Sequence, residues 1–174
     1  MKIEFIPNPR TALEIEWGGC HYAYKAPQQT AISATANANG YTLLNAYARA
    51  FDWDLKLIEA AANDCNSRGQ VAVLKQLQPT LLLVPKTKAD KSVYEITKDL
   101  VDAVNELGLS ELHFTHYGFI QGKMPKNEIT EILNYLLNPK LATTLKTVYW
   151  AIDTRITKQQ ITALYEGICL KNKL

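Results

Sequence analysis

The chain has 174 residues, 47% of them hydrophobic and 21% charged, with 19 lysines and arginines against 17 aspartates and glutamates. That length can bury a sizeable core as one domain, and a formal net charge of +2 exerts no general pull on nucleic acid or acidic lipid. No apolar run approaches the ~20 residues a membrane-spanning helix needs. The opening Met1-Lys2-Ile3-Glu4 is too short and too charged for a secretory signal, and Cys20, Cys65 and Cys169 are too scattered for a disulfide framework, so a reduced, cytoplasmic protein is the expectation.

The first 35 residues read as β structure. Lys2–Ile6 forms a short strand ended by Pro7-Asn8-Pro9. Ala12–Trp17 and Cys20–Lys25 flank Gly18-Gly19, a link that permits the positive φ angles of a tight hairpin, so an antiparallel pair is expected there, with His21 on its face. Thr30–Thr35 is a further strand. Ala36-Asn37-Ala38-Asn39-Gly40 follows it, suited either to a plain strand-to-helix turn or to a loop whose amides meet a ligand. Apolar residues then recur at three- and four-residue steps, predicting helices over about 41–51 and 55–65, with Asp54 as the N-cap of the second. Val71–Leu77 is a short element ambiguous between helix and strand, with helix the preferred reading, and Thr80–Val84 reads as a strand covered on both faces. Lys86–Lys91 is a polar loop. Ser92-x-x-Glu95 opens a helix that ends near Leu107-Gly108. Strand Glu111–Thr115, a loop to Met124, a proline-led helix Pro125–Asn138, strand Leu145–Ile152 and a helix capped by Thr157-x-x-Gln160 complete the chain.

Helix and strand alternating after an antiparallel start imply an α/β fold: three layers, α/β/α, with a mixed sheet and an N-terminal antiparallel hairpin. Sites in such folds collect at the carboxyl ends of the parallel strands. The loop Thr115–Met124 is the leading candidate there. Gly118 and Gly122 let backbone N–H groups approach an anion closely, and the following helix adds its positive end. Tyr117 and Phe119 offer flat faces for a base or ribose, Lys123 a charge for a phosphate, and His116 lies where strand gives way to loop. His113 and His116 would point to opposite faces of a strand, so they make no zinc pair, and neither a metal nor another resident cofactor is expected. No Walker loop, G-x-S-x-G or H-E-x-x-H motif is present. Nucleic acid is not an expected partner, because no basic stripe accompanies the aromatics.

From about residue 30 onward the chain resembles a divergent macro domain, the fold that binds ADP-ribose and related nucleotides. Ile32–Gly40 (ISATANANG) resembles the family's strand ending in asparagine, alanine, alanine, asparagine; Asn39 matches the second asparagine and Ala36 stands where the first would be. Trp53–Ala61 resembles its valine–aspartate helix start, which places Asp54 at an acidic position associated with the distal ribose. Leu107–Ile129 resembles the strand, diphosphate loop and proline-led helix, and Thr147–Asp153 the closing β–α unit. The family's glycine run before its aspartate is absent, and three residues separate Gly118 from Gly122 where the family has two. The resemblance implies a nucleotide small-molecule ligand such as ADP-ribose, held by Asn37, Asn39, Thr115, His116, Tyr117, Gly118, Phe119, Ile120 and Gly122. Were the protein a hydrolase of ADP-ribose compounds, Asp54 would orient the water. The alternative is a macro-like domain that kept the fold without a working pocket and serves as a protein-interaction module.

Overall fold

The computed structural model describes residues 1–7, 15, 21–37, 42–86, 92–114, 125–152 and 155–172. Among them six strands are found, β1 (Lys2–Pro7), β2 (Thr30–Thr35), β3 (Ala72–Leu74), β4 (Thr80–Val84), β5 (Glu111–Phe114) and β6 (Thr147–Ile152). They form one mixed sheet in the order β1-β6-β5-β2-β4-β3. Helices α1 (His21–Lys25), α2 (Leu43–Ala50) and α3 (Leu55–Arg68) cover one face, and α4 (Val93–Leu107), α5 (Lys126–Leu136) and α6 (Arg155–Asn172) cover the other. The three-layer α/β architecture read from the sequence is the observed one.

Period-two alternation divides each central strand between two cores. All five residues of β4 are buried; Leu82 and Val84 join the core under α4–α6, while Leu81 and Leu83 join the core under α1–α3. In β5, Leu112 and Phe114 face the α4–α6 side. The intervening His113 therefore faces α1–α3. Burying each such leucine stabilises the fold by about 2 kcal/mol, so these strands carry much of the hydrophobic driving force.

The helix boundaries follow from local chemistry. Thr42, Asp54 and Ser92 each accept a backbone N–H at the first turn of α2, α3 and α4 respectively. Gly69 and Gly108 end α3 and α4 at φ of +63° and +67°, a left-handed conformation that costs little without a Cβ.

Three expectations are corrected. The second arm of the N-terminal hairpin is not a strand, because His21–Lys25 is helix α1. Its burial is consecutive rather than alternating: Tyr22 and Ala23 are inside, Tyr24 and Lys25 outside. Of the first arm only Ile15 is described, and it is buried. β1 pairs in parallel with β6, so the antiparallel member of the sheet lies at the opposite edge, where β3 pairs with β4. Val71–Leu77 is the second correction: its core is strand β3, since Leu74 is buried against Leu81 while Val73 faces out. Third, α6 begins at Arg155, which puts Thr157 inside the helix rather than at its cap.

Candidate functional site at the carboxyl edge of the sheet

Neighbouring strands β2 and β5 send their chains to opposite faces. After β2 the chain enters α2 and α3 on one side, and after β5 it enters α5 on the other. Loops that diverge in this way leave a crevice between the carboxyl ends of the two strands, the usual place for a ligand in an open α/β sheet. β2 runs beside β4 as far as Thr35↔Val84 and β5 beside β6 as far as Phe114↔Trp150, and among the described residues β2 and β5 are paired through Ile32↔His113. One residue further, the Ser33 hydroxyl donates to the His113 carbonyl at 2.9 Å, a side chain tying the two strands.

Below that point lies a buried polar cluster. The His113 imidazole is fully buried; Nδ1 is hydrogen-bonded to the Tyr22 hydroxyl of α1 and Nε2 to the Tyr47 hydroxyl of α2 at 2.9 Å. A neutral imidazole has one N–H donor and one lone-pair acceptor, so one tyrosine accepts and the other donates. Burial pushes the His113 pKa down to about 3, which keeps the ring neutral at physiological pH. The Tyr22 ring stacks on Tyr149 of β6 with centroids 3.5 Å apart and planes 6° from parallel. Burial, with the Glu111 and Glu4 carboxylates adding to it, pushes the Tyr149 phenol up to about 12. Neither His113 nor Tyr149 therefore offers a base or nucleophile near neutrality. Nor does Cys65, whose thiol burial pushes up to about 11 while Sγ donates to the Gln70 and Leu83 carbonyls.

A latch closes the same edge further out. On α3, the Asn66 amide donates to the Ala36 carbonyl at 2.8 Å, and its oxygen accepts the Lys86 N–H at 2.6 Å. Asn66 thereby joins the chain leaving β2 to the chain leaving β4. Asn37, half-buried at the end of β2, borders a polar cleft of about 220 Å³ with Glu59, Asn63, Asn66 and Lys86.

Of the residues the sequence singled out, Asn37 is at this edge. Asn39, Thr115, His116, Tyr117, Gly118, Phe119, Ile120 and Gly122 lie outside the described residues, as does Lys123. Asp54 is elsewhere. Its carboxylate accepts the Lys56 and Leu57 N–H groups as the N-cap of α3, and next to it the Trp53 indole donates to the Gln78 carbonyl just before β4. That is the amino edge of the sheet. A helix of 14 residues is about 21 Å long, so α3 separates Asp54 from the Asn66 latch by nearly the height of the sheet. The chain has already returned through α2 before Asp54 is reached, and the structure does not bring Asp54 and Asn37 together. Asp54→Ala is therefore expected to cost about 1 kcal/mol of stability as a lost N-cap, measurable by urea unfolding, with no change in any ligand affinity. A tenfold loss of affinity would return Asp54 to the site.

His113, Tyr22, Tyr47 and Asn66 were not singled out as a group. The available signal was His113 itself: a histidine between apolar neighbours in a buried strand must find hydrogen-bond partners, but which tyrosines supply them depends on the packing of α1 and α2. Among the described residues no three histidine, cysteine, aspartate or glutamate side chains gather as a metal site would require, and no helix is long and apolar enough to cross a membrane.

No family model matches the chain, and no curated protein matches it. Among solved structures it is similar to a mutant of the Oceanobacillus iheyensis macrodomain, with a TM-score of 0.54 over 83% of this chain and 87% of that one, at 13% sequence identity. At that identity the likeness speaks for the fold: the chain has a macrodomain-like architecture.

Proposed function

We propose that this protein binds ADP-ribose or a related nucleoside diphosphate in the crevice between the carboxyl ends of β2 and β5. The observation that carries the reading is the switch point itself, where neighbouring strands β2 and β5 send their chains to opposite faces, in a macrodomain-like fold. In this reading the backbone amides of Gly118–Gly122 hold the diphosphate, aided by the positive end of α5, whose N-cap Pro125 has no side-chain capping bond. Asn37 and Asn39 hold a ribose, Tyr117 or Phe119 stacks on a ring, and Thr115, His116 and Ile120 line the remaining wall. The proposal is one of binding. Asp54 stands at the far edge of the sheet and takes no part in it.

Titration calorimetry with free ADP-ribose is the direct test: a folded protein giving no heat at about millimolar ligand would end the proposal. Gly122→Glu sharpens it. A carboxylate beside the diphosphate is expected to weaken binding by at least about 100-fold, ~2.7 kcal/mol, without unfolding the protein. An unchanged affinity would remove the loop from the site.

A second reading, a macro-like module without a working pocket that binds proteins, is favoured by one feature. Helix α2 occupies the stretch where the resembled family has its glycine run. Silence toward ADP-ribose together with concentration-dependent self-association in sedimentation would support that reading over the first.

A further inference from the structure

We infer that His113 is a positioning residue that sets the width of the crevice by linking its two walls. The inference rests on the nucleotide-binding reading for its functional consequence. β5, which carries His113, leads directly into the Thr115–Met124 loop. Tyr47 lies one turn into α2, the helix that the loop after β2 enters. The bond from the Tyr47 hydroxyl to Nε2, at 2.9 Å, is thus a wall-to-wall contact, and the Ser33 hydroxyl adds a main-chain tie to the same residue. Tyr22 brings in a third element. Its hydroxyl meets Nδ1 and its ring lies flat on Tyr149, so the imidazole is held from both nitrogens by groups that are themselves packed.

Such a cluster fixes distance more sharply than apolar packing does. A leucine in place of His113 could slide by an ångström at little cost. An imidazole with both nitrogens engaged cannot, because each displacement lengthens a buried hydrogen bond that no water replaces. Removing one hydroxyl frees that wall while leaving the rings packed. The expected consequence is a changed crevice as well as a less stable protein.

The test separates those two effects. Tyr47→Phe deletes the wall-to-wall bond. Ile132→Val, in α5 within the opposite core, is the comparison for a small packing loss away from the crevice. Both variants are titrated with ADP-ribose at a temperature where circular dichroism shows them folded. Tyr47→Phe is expected to weaken binding about tenfold while Ile132→Val binds as the wild type does. Wild-type affinity in Tyr47→Phe overturns the inference, and so does an equal loss in both variants. Should the wild-type protein itself not bind ADP-ribose, the nucleotide reading fails, and the positioning role is decided by amide hydrogen exchange. Tyr47→Phe is then expected to speed exchange at Ala26, whose N–H donates to the Tyr22 carbonyl at the end of α1, and at Phe114 of β5; faster exchange confined to α2, or none, overturns it.

Discussion

Acidification from pH 6.5 to pH 3 is expected to remove about 5 kcal/mol of folding stability through His113 alone. In the unfolded chain this imidazole takes up a proton near pH 6.5; in the folded protein burial delays protonation to about pH 3. Below pH 6.5 the unfolded state therefore binds more protons than the native state, and stability falls with pH at about 1.4 kcal/mol per unit until the native pKa is reached. Above pH 6.5 neither state is protonated at this site and the contribution is constant. A total of 5 kcal/mol is comparable with the whole stability of many domains. The interval from pH 6.5 to 5 gives the cleanest reading, because carboxylates titrate mainly below it. Urea midpoints across that interval should decline in the wild type and run flatter in His113→Gln, which keeps a donor and an acceptor but cannot be protonated. Parallel declines in the two proteins would show that His113 takes up its proton as readily folded as unfolded.

Trp150→Ala should cost about 4 kcal/mol, from lost transfer energy and the cavity left behind. Trp150 lies in β6, fully buried in the core under α4–α6, with the Phe114 ring edge-on at 5.3 Å between centroids and the Phe5 ring tilted at 5.9 Å. It therefore joins β1, β6 and β5 on the face opposite the His113 cluster. The variant should keep its cooperative transition while the urea midpoint falls sharply, since the aromatic neighbours cannot collapse into so large a space without leaving their rotamers. A loss below about 1.5 kcal/mol would mean that the core relaxes far more than close packing allows.

The elements that were legible are those whose signal is local. Leu81–Leu83 are apolar on every residue, a pattern suited to a strand covered on both faces. Ser92 and Asp54 are capping residues because the first backbone N–H groups of a helix need acceptors, and Gly108 ends its helix because the left-handed turn there needs no Cβ. The misread elements had signals that tertiary partners overrode. Gly18-Gly19 permits a hairpin without requiring one, and Tyr22 of α1 is placed by His113 and Tyr149, neither of them near in sequence. Val71–Leu77 is too short for its period to decide between helix and strand; pairing with β4 decides it.

The crevice shows the same division. The proposed lining is in the sequence: asparagines after β2, then glycines and aromatics after β5. Its position is not, because strand order is a property of the assembled sheet. Only once β2 stands between β5 and β4 do the carboxyl ends of two strands far apart in the chain become neighbours, with the Ser33 hydroxyl bonded to the His113 carbonyl. Asp54 makes the complementary point. The sequence by itself made it a helix cap, since capping depends on the backbone within three residues. Only the tertiary structure decided that this cap faces the amino edge, because the preceding helix α2 had already carried the chain back across the sheet.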